Sequence, residues 1–349
     1  MARGCLAARI SARGAPCQDP LTQVSILLIM PENIAVSVQN LEKKFGAFTA
    51  VNRINFEVKE GEVFGFLGPN GAGKSTTIRM LCGIIPPTSG SGKVGGYDII
   101  KEQHKIKEHI GYMSQKFSLY NDLTIEENIN FYSGIYKIPK QEKKERFEET
   151  IRTAGLEGME HNLTSTLAGG WKQRLALGCA LIHKPRIIFL DEPTSGVDPI
   201  TRANFWGVIK QLASEGVTVF VTTHYMDEAE NCNRMVLIYH GTIIATGSPQ
   251  EMKTNCMKNE VLEVTLPNAQ DWLERISKIE GVKEAALFGA NIHTVVYDSS
   301  KAIPAIKEFL DKEKAGDFSV KKILPSLEDV FVSSIENYDR EHADEFKKS

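Results

Sequence analysis

Gly68-Pro69-Asn70-Gly71-Ala72-Gly73-Lys74-Ser75-Thr76 is the stretch whose reading decides the fold. The apolar run Val63-Phe64-Gly65-Phe66-Leu67 before it reads as a short buried strand, and Thr76-Thr77-Ile78-Arg79-Met80-Leu81 after it as the first turns of a helix. A strand, a G-x-x-x-x-G-K-[ST] loop and a helix in that order predict a phosphate cradle. Glycines let successive backbone N–H groups turn inward without Cβ clashes, and the helix N-terminus adds the positive end of its dipole. Lys74 is then expected to reach the β- and γ-phosphates, and the Ser75 hydroxyl to ligate Mg²⁺.

Working outward, 349 residues suffice for about two domains. A net charge of −3 argues against a broad nucleic-acid-binding surface, so no nucleic-acid partner is expected. Cys5, Cys17, Cys82, Cys179, Cys232 and Cys256 lack C-x-x-C or zinc-site spacing and read as reduced thiols. No stretch approaches the ~20 apolar residues that a membrane-spanning helix needs. The run Val24–Met30 is short; Arg3, Arg9 and Arg13 precede it, but Pro31-Glu32-Asn33 follows instead of a cleavage site. Residues 1–30 are expected to be a disordered N-terminal extension, with Met1 and Met30 both open as the start.

Downstream, Ile34–Val38 and Ile54–Val58 read as strands on either side of a turn at Lys44-Phe45-Gly46, where spacing alone makes Phe45 a turn-packing residue. Pro86–Gly92 reads as a loop because of its turn residues. Helical patterns fill Thr124 to Gly155, with Ile125, Ile129 and Phe131 on one side. Leu167-Ala168-Gly169-Gly170-Trp171 opens a further helix whose paired glycines leave backbone N–H groups accessible. Arg186-Ile187-Ile188-Phe189-Leu190-Asp191-Glu192 is a buried central strand ending in two carboxylates, at the edge where open α/β sheets bind ligands. Asp191 is placed to hold Mg²⁺ through its waters and Glu192 to polarise an attacking water. Thr218–Thr223 is another such strand, ending at His224 where a γ-phosphate would lie.

The order Lys74, Gln115, Leu167-Ala168-Gly169-Gly170, Asp191-Glu192, Asp198, His224 closely resembles the nucleotide-binding subunit of an ABC transporter over roughly Ile34 to Met252. The fold this resemblance implies is an α/β P-loop NTPase of ABC type, with a parallel core sheet, an antiparallel β subdomain and a helical subdomain at about 115–183. The implied ATP-binding domain spans 31–255. Residues 256–349 read as a small C-terminal α+β unit of ferredoxin-like β-α-β-β-α-β order, closed by Pro325–Phe331, which looks like the last helix of drug-resistance, ABC-2-type export ATPases.

By the same resemblance Phe45 stacks on the base, against the reading from spacing. Gln115 touches Mg²⁺ and reports nucleotide state, Glu192 is the general base, and His224 is the switch histidine. Ser195-Gly196-Val197-Asp198 crosses a dimer interface. The cofactors implied are ATP and Mg²⁺, with ATP sandwiched between the phosphate loop of one copy and Leu167–Gly170 of another. Two departures stand out. Ala168 replaces the serine that usually donates to the γ-phosphate, at a cost of about 1.5–3 kcal/mol for a bond to a charged acceptor, and Trp171 replaces glutamine. The implied partners are a second copy, head to tail, and a separate transmembrane permease, which places the chain in the cytoplasm on the inner face of the cell membrane. The implied function is ATP-driven export of drugs or other hydrophobic compounds. A soluble ABC ATPase acting on ribosome or DNA, an importer ATPase and a stand-alone P-loop kinase are the alternatives.

Overall fold

The computed structural model describes residues 33–115, 119–257 and 259–343. The expected extension at 1–30, with its Val24–Met30 run and both of its cysteines, lies outside the described residues. β1 (Ile34–Phe45) and β2 (Phe48–Lys59) form a hairpin running from Ile34 opposite Lys59 to Phe45 opposite Phe48. β3 (Val63–Leu67) starts a second sheet, and α1 (Lys74–Leu81) leaves the glycine loop. β4 (Ser89–Val94) and β5 (Tyr97–Asp98) return to the first sheet, which has the order β2-β1-β4-β5.

β4 departs from the expected loop at Pro86–Gly92. Its glycines give little strand propensity, but they allow close backbone approach: a Cβ on Gly90 would lie 2.2 Å from the Asn40 carbonyl oxygen. Pairing with β1, opposite which Val94 meets Val36 and Gly92 meets Val38, outweighs local preference.

α2 (Gln103–His109) leads into β6 (Ile110–Met113), and α3 (Ile125–Ile135), α4 (Lys143–Ala154) and α5 (Gly169–Leu181) make the helical region. Ile125 and Ile129 are buried there, but Phe131 is exposed, packed edge-on against Tyr120. The three do not share one face, because a six-residue step from Ile125 to Phe131 is more than one and a half turns. β7 (Ile187–Asp191), α6 (Pro199–Ser214), β8 (Thr218–Thr223), α7 (Met226–Ala229), β9 (Arg234–Tyr239), β10 (Thr242–Gly247) and α8 (Pro249–Asn255) follow.

The second sheet has the order β10-β9-β3-β8-β7-β6, all parallel except the β10–β9 pair. β3, β7 and β8 are buried at every position, their apolar centres covered on both faces of the sheet. Alternation sends Phe64 and Phe66 to the face covered by the first sheet, where Phe66 and Phe189 lie 5.4 and 5.3 Å from the Phe220 ring. Val63 and Leu67 go to the opposite face, under α5 and α6, with Phe205, Trp206 and Ile209. The register sets Leu67 beside Thr223 and Asp191 beside Thr222, so three strands end at one edge.

A third, antiparallel sheet follows from β11 (Glu260–Thr265), α9 (Ala269–Ile276), β12 (Val282–Phe288), β13 (Asn291–Val296), α10 (Ser299–Lys312) and β14 (Ser319–Ile323), in the order β12-β13-β11-β14. It has its own core of Leu262, Val264, Ile276, Ile292, Ile306 and Leu310. α11 (Leu327–Glu341) starts with a reciprocal cap between Ser326 and Asp329, and its Leu327 and Val330 join the core on the α5–α6 side of the second sheet. Among the described residues, no helix is long and apolar enough to cross a membrane.

Candidate functional site

The loop between β3 and α1 holds its shape through close backbone approach. A Cβ on Gly68 would lie 2.3 Å from the Ile238 carbonyl oxygen, and one on Gly73, at φ +108°, would lie 2.5 Å from the Ala50 carbonyl oxygen. Only glycine fits either position without displacing backbone. Pro69 accepts from Ala72 N at 3.2 Å, so Pro69-Asn70-Gly71-Ala72 is itself a turn, and Thr76 lies in the first turn of α1.

Lys74 is buried and bent back over this loop. Its Nζ donates to the carbonyls of Gly68 (2.8 Å) and Pro69 (3.2 Å) and lies 3.0 Å from Glu192 Oε1. Glu192 Oε2 in turn accepts from Gln115 Nε2 at 3.0 Å and lies 3.5 Å from His224 Nδ1. The Glu192 backbone sits at φ +48°, a costly conformation for a residue with a side chain. Its N–H is held by the Thr222 hydroxyl at 2.9 Å.

Asp191 accepts from Ser75 Oγ at 3.0 Å and Thr222 Oγ1 at 2.9 Å. Burial pushes its carboxyl above the ordinary carboxylate range, against the pull of those two hydroxyls. A buried carboxylate beside a hydroxyl is a hard-oxygen pair suited to a small divalent cation, whose charge would relieve the desolvation. Ser75 and Asp191 therefore fit Mg²⁺, and Gln115, which lines the same cavity as Ser75, carries an amide carbonyl of the same hard-oxygen kind.

A cavity of about 380 Å³ opens above these groups, lined by Asn70, Gly71, Gly73, Lys74, Ser75, Thr76, Gln115 and Glu192, and by Phe45 and Phe48 on the hairpin side. Phe45 is not packed into its turn, as spacing alone had it; it stands exposed at the cavity mouth.

Leu167, Ala168, Gly169, Gly170 and Asp198 are not part of this lining. They form a second cluster. Ala168 is the N-cap of α5 and supplies no side-chain cap. A Cβ on Gly170 would lie 2.2 Å from Thr201 Cγ2, so the start of α5 rests directly on α6. Asp198 caps α6, accepting from Ile200 N at 3.1 Å and Thr201 N at 3.0 Å, which holds its carboxyl below the ordinary range. Trp171 lies in the first turn of α5 with the Arg174 guanidinium 5.1 Å from its ring. Ala168→Ser is expected to supply the missing cap and stabilise the protein by about 1 kcal/mol. Denaturant titration measures this, and the ATPase rate should not fall; a marked loss of rate means the alanine belongs to a differently shaped site.

Sequence reasoning missed Phe48 and Thr222. An aromatic two residues beyond the turn glycine and two threonines ending an apolar strand were the available signals. It also missed Arg202, whose guanidinium covers the Tyr225 ring at 4.0 Å and lies 3.4 Å from buried Glu228, which accepts from the Thr194 hydroxyl. These contacts tie the segment after Glu192 to the segment after His224.

Residues 51–195 match the ABC transporter family. The chain is 47% identical over 247 residues to the probable multidrug ABC transporter ATP-binding protein YbhF of Escherichia coli (strain K12), across 69% of this chain and 43% of that protein. It thus spans less than half the length of YbhF. The linearmycin resistance ATP-binding protein LnrL of Bacillus subtilis (strain 168) is 40% identical over 232 residues, 66% of this chain and 75% of LnrL. Among solved structures, the dimeric post-hydrolysis state of the ATP-binding cassette MJ0796, bound to ADP and Pi, superposes with a TM-score of 0.56 at 28% identity, over 61% of this chain and 98% of that one. Given a phosphate loop, paired strand-end acids and a glycine-led helix on this scaffold, and a 40%-identical relative matched over 75% of its length, the chain belongs to the ATP-binding proteins of ABC transporters.

Proposed function

We propose that this chain hydrolyses ATP as the motor subunit of an ABC exporter. The observation that carries the reading is the meeting of Lys74, Asp191, Glu192 and His224 at the edge where β3, β7 and β8 end. Bound triphosphate takes the place of Glu192 as the partner of the Lys74 ammonium, and the loop N–H groups and the α1 dipole stabilise its charge. Freed from Lys74, the Glu192 carboxylate accepts the proton of a water aligned behind the γ-phosphate. His224, already beside Glu192, donates to the γ-phosphate as charge builds up there. Ser75, Asp191 and Gln115 would hold Mg²⁺, which when bound neutralises phosphate charge.

The exclusion of Leu167–Gly170 and Asp198 from the lining of the phosphate-loop cavity supports a head-to-tail pair of chains. The phosphate loop of one copy faces Leu167–Gly170 of the other, Asp198 lies at the seam, and hydrolysis reopens the pair. Export of drug-like or other hydrophobic compounds through a separate permease, at the inner face of the membrane, is supported by the multidrug and resistance roles in the names of the relatives. We read residues 31–255 as the ATP-binding domain, with the helical region at about 115–183, and 256–349 as an α+β unit appended to it. Size exclusion of the Glu192→Gln protein tests the pairing. A dimer is expected with ATP and a monomer without it; a monomer at every ATP and protein concentration overturns it.

A further inference from the structure

Resting on the nucleotide reading above, we propose that Phe48 is a second aromatic wall of the nucleobase seat and, with Phe45, sets how tightly the base is held. The two residues are Cα partners on the last rung of the β1–β2 hairpin. Directly opposed residues of an antiparallel pair send their side chains to the same face. Gly46, at φ +60°, lets the two-residue connection turn back so tightly.

Both rings are more than half exposed, Phe45 at 52% and Phe48 at 63%, yet both line the cavity that holds Lys74 and Ser75. Two apolar rings left in water at the mouth of a phosphate cradle are poorly placed unless a flat, weakly polar group covers them. The Lys43 ammonium lies 5.2 Å from the Phe45 ring centre and occupies one side of it. Phe48 has no ring or cation partner among the described residues, so its face is available to a base.

The hairpin side of the lining is Phe45, Phe48 and Ala50, none with a polar side-chain group. Recognition there works by stacking, which every base face satisfies, and not by hydrogen bonds to a base edge. The seat therefore discriminates little between bases, with ATP and GTP held alike and the triphosphate gripped independently by the loop.

The test measures binding of ATP, GTP and inorganic tripolyphosphate to the full chain, as wild type, Phe48→Ala and Phe48→Tyr, together with steady-state ATPase kinetics. Phe48→Ala is expected to weaken ATP and GTP equally, by about ten-fold. The loss should appear in KM and not in kcat, tripolyphosphate binding should hold, and Phe48→Tyr should restore the affinity. Wild-type ATP affinity in Phe48→Ala overturns the proposal. So does an equal loss of tripolyphosphate, which would make the ring a prop for the loop. Failure of the nucleotide reading itself shows separately, as a wild-type chain that binds none of the three.

Discussion

Glu192→Gln is expected to leave ATP bound and to slow its hydrolysis by about two to four orders of magnitude, the usual contribution of a positioned general base. The substitution keeps the shape of the side chain, and the amide oxygen can still accept from Gln115 Nε2, now at 3.0 Å from the carboxylate. What disappears is the basicity that takes the proton of the attacking water. Binding should not weaken. Lys74 Nζ lies 3.0 Å from Glu192 Oε1, a partner that competes with a phosphate for the ammonium. Removing the carboxylate charge removes that competitor, so ATP affinity should equal or exceed that of the wild type. Phosphate release and equilibrium ATP binding, measured side by side, check both parts. Wild-type hydrolysis in this variant removes Glu192 from its role.

Lys74→Ala is expected to act on both binding and stability. ATP affinity should drop by about a hundred-fold or more, because hydrogen bonds to a charged partner are worth about 1.5–3 kcal/mol each and the ammonium can make more than one. Stability without nucleotide should also drop, by about 3 kcal/mol, because Glu192 is left as a buried charge without its cation. Gln115 and His224 remain close to the carboxylate, which keeps the loss at the lower end of the range for broken buried pairs. The double variant Lys74→Ala/Glu192→Gln separates the two effects. It should regain most of the stability, read as a denaturant midpoint, while ATP binding stays lost. A Lys74→Ala protein that unfolds at the wild-type midpoint would mean that the ion pair contributes nothing in the resting chain.

The same contact bears on how the cycle starts. With Lys74 on Glu192, the carboxylate is paired and the lysine is bonded back to the Gly68 carbonyl of its own loop. On the proposed mechanism, the triphosphate displaces Glu192 from Lys74 and frees the carboxylate to accept a proton. The αL backbone at Glu192 aims its carboxylate back toward the loop, and Thr222, bonded to both Asp191 and the Glu192 N–H, holds that turn in place. Thr222 is thus a positioning residue, invisible to motif reading because a threonine near the end of a β-strand has no chemistry of its own.

Much of this molecule was legible from residue order. Short apolar runs located β3, β7 and β8, since a strand buried on both faces shows little polar alternation; the polar residues of β7 and β8, Asp191 and three threonines, lie at the strand ends. The β-α-β-β-α-β order after Glu260 could be followed from a different signal, the β-branched residues of β11 and β13. β4 could not. Its Ser-Gly-Ser-Gly composition has turn propensity, and only the approach of β1, which leaves no room for a Cβ at residue 90, makes it a strand.

Sequence by itself determined the chemical inventory of this protein: a glycine loop with its lysine and serine, two acids and a histidine at strand ends, and a glycine-led helix. Those features are local, fixed by the backbone freedom of glycine and by the length of apolar runs. Which of them meet was decided by tertiary structure. The β3–β8–β7 register brings Lys74, Asp191, Glu192 and His224 to one edge, and the hairpin closure brings Phe48 to the cavity beside Phe45. The packing of α5 on α6 keeps Leu167–Gly170 out of that cavity's lining. Strand register and helix packing depend on contacts between residues far apart in the chain, which no window of neighbouring residues contains.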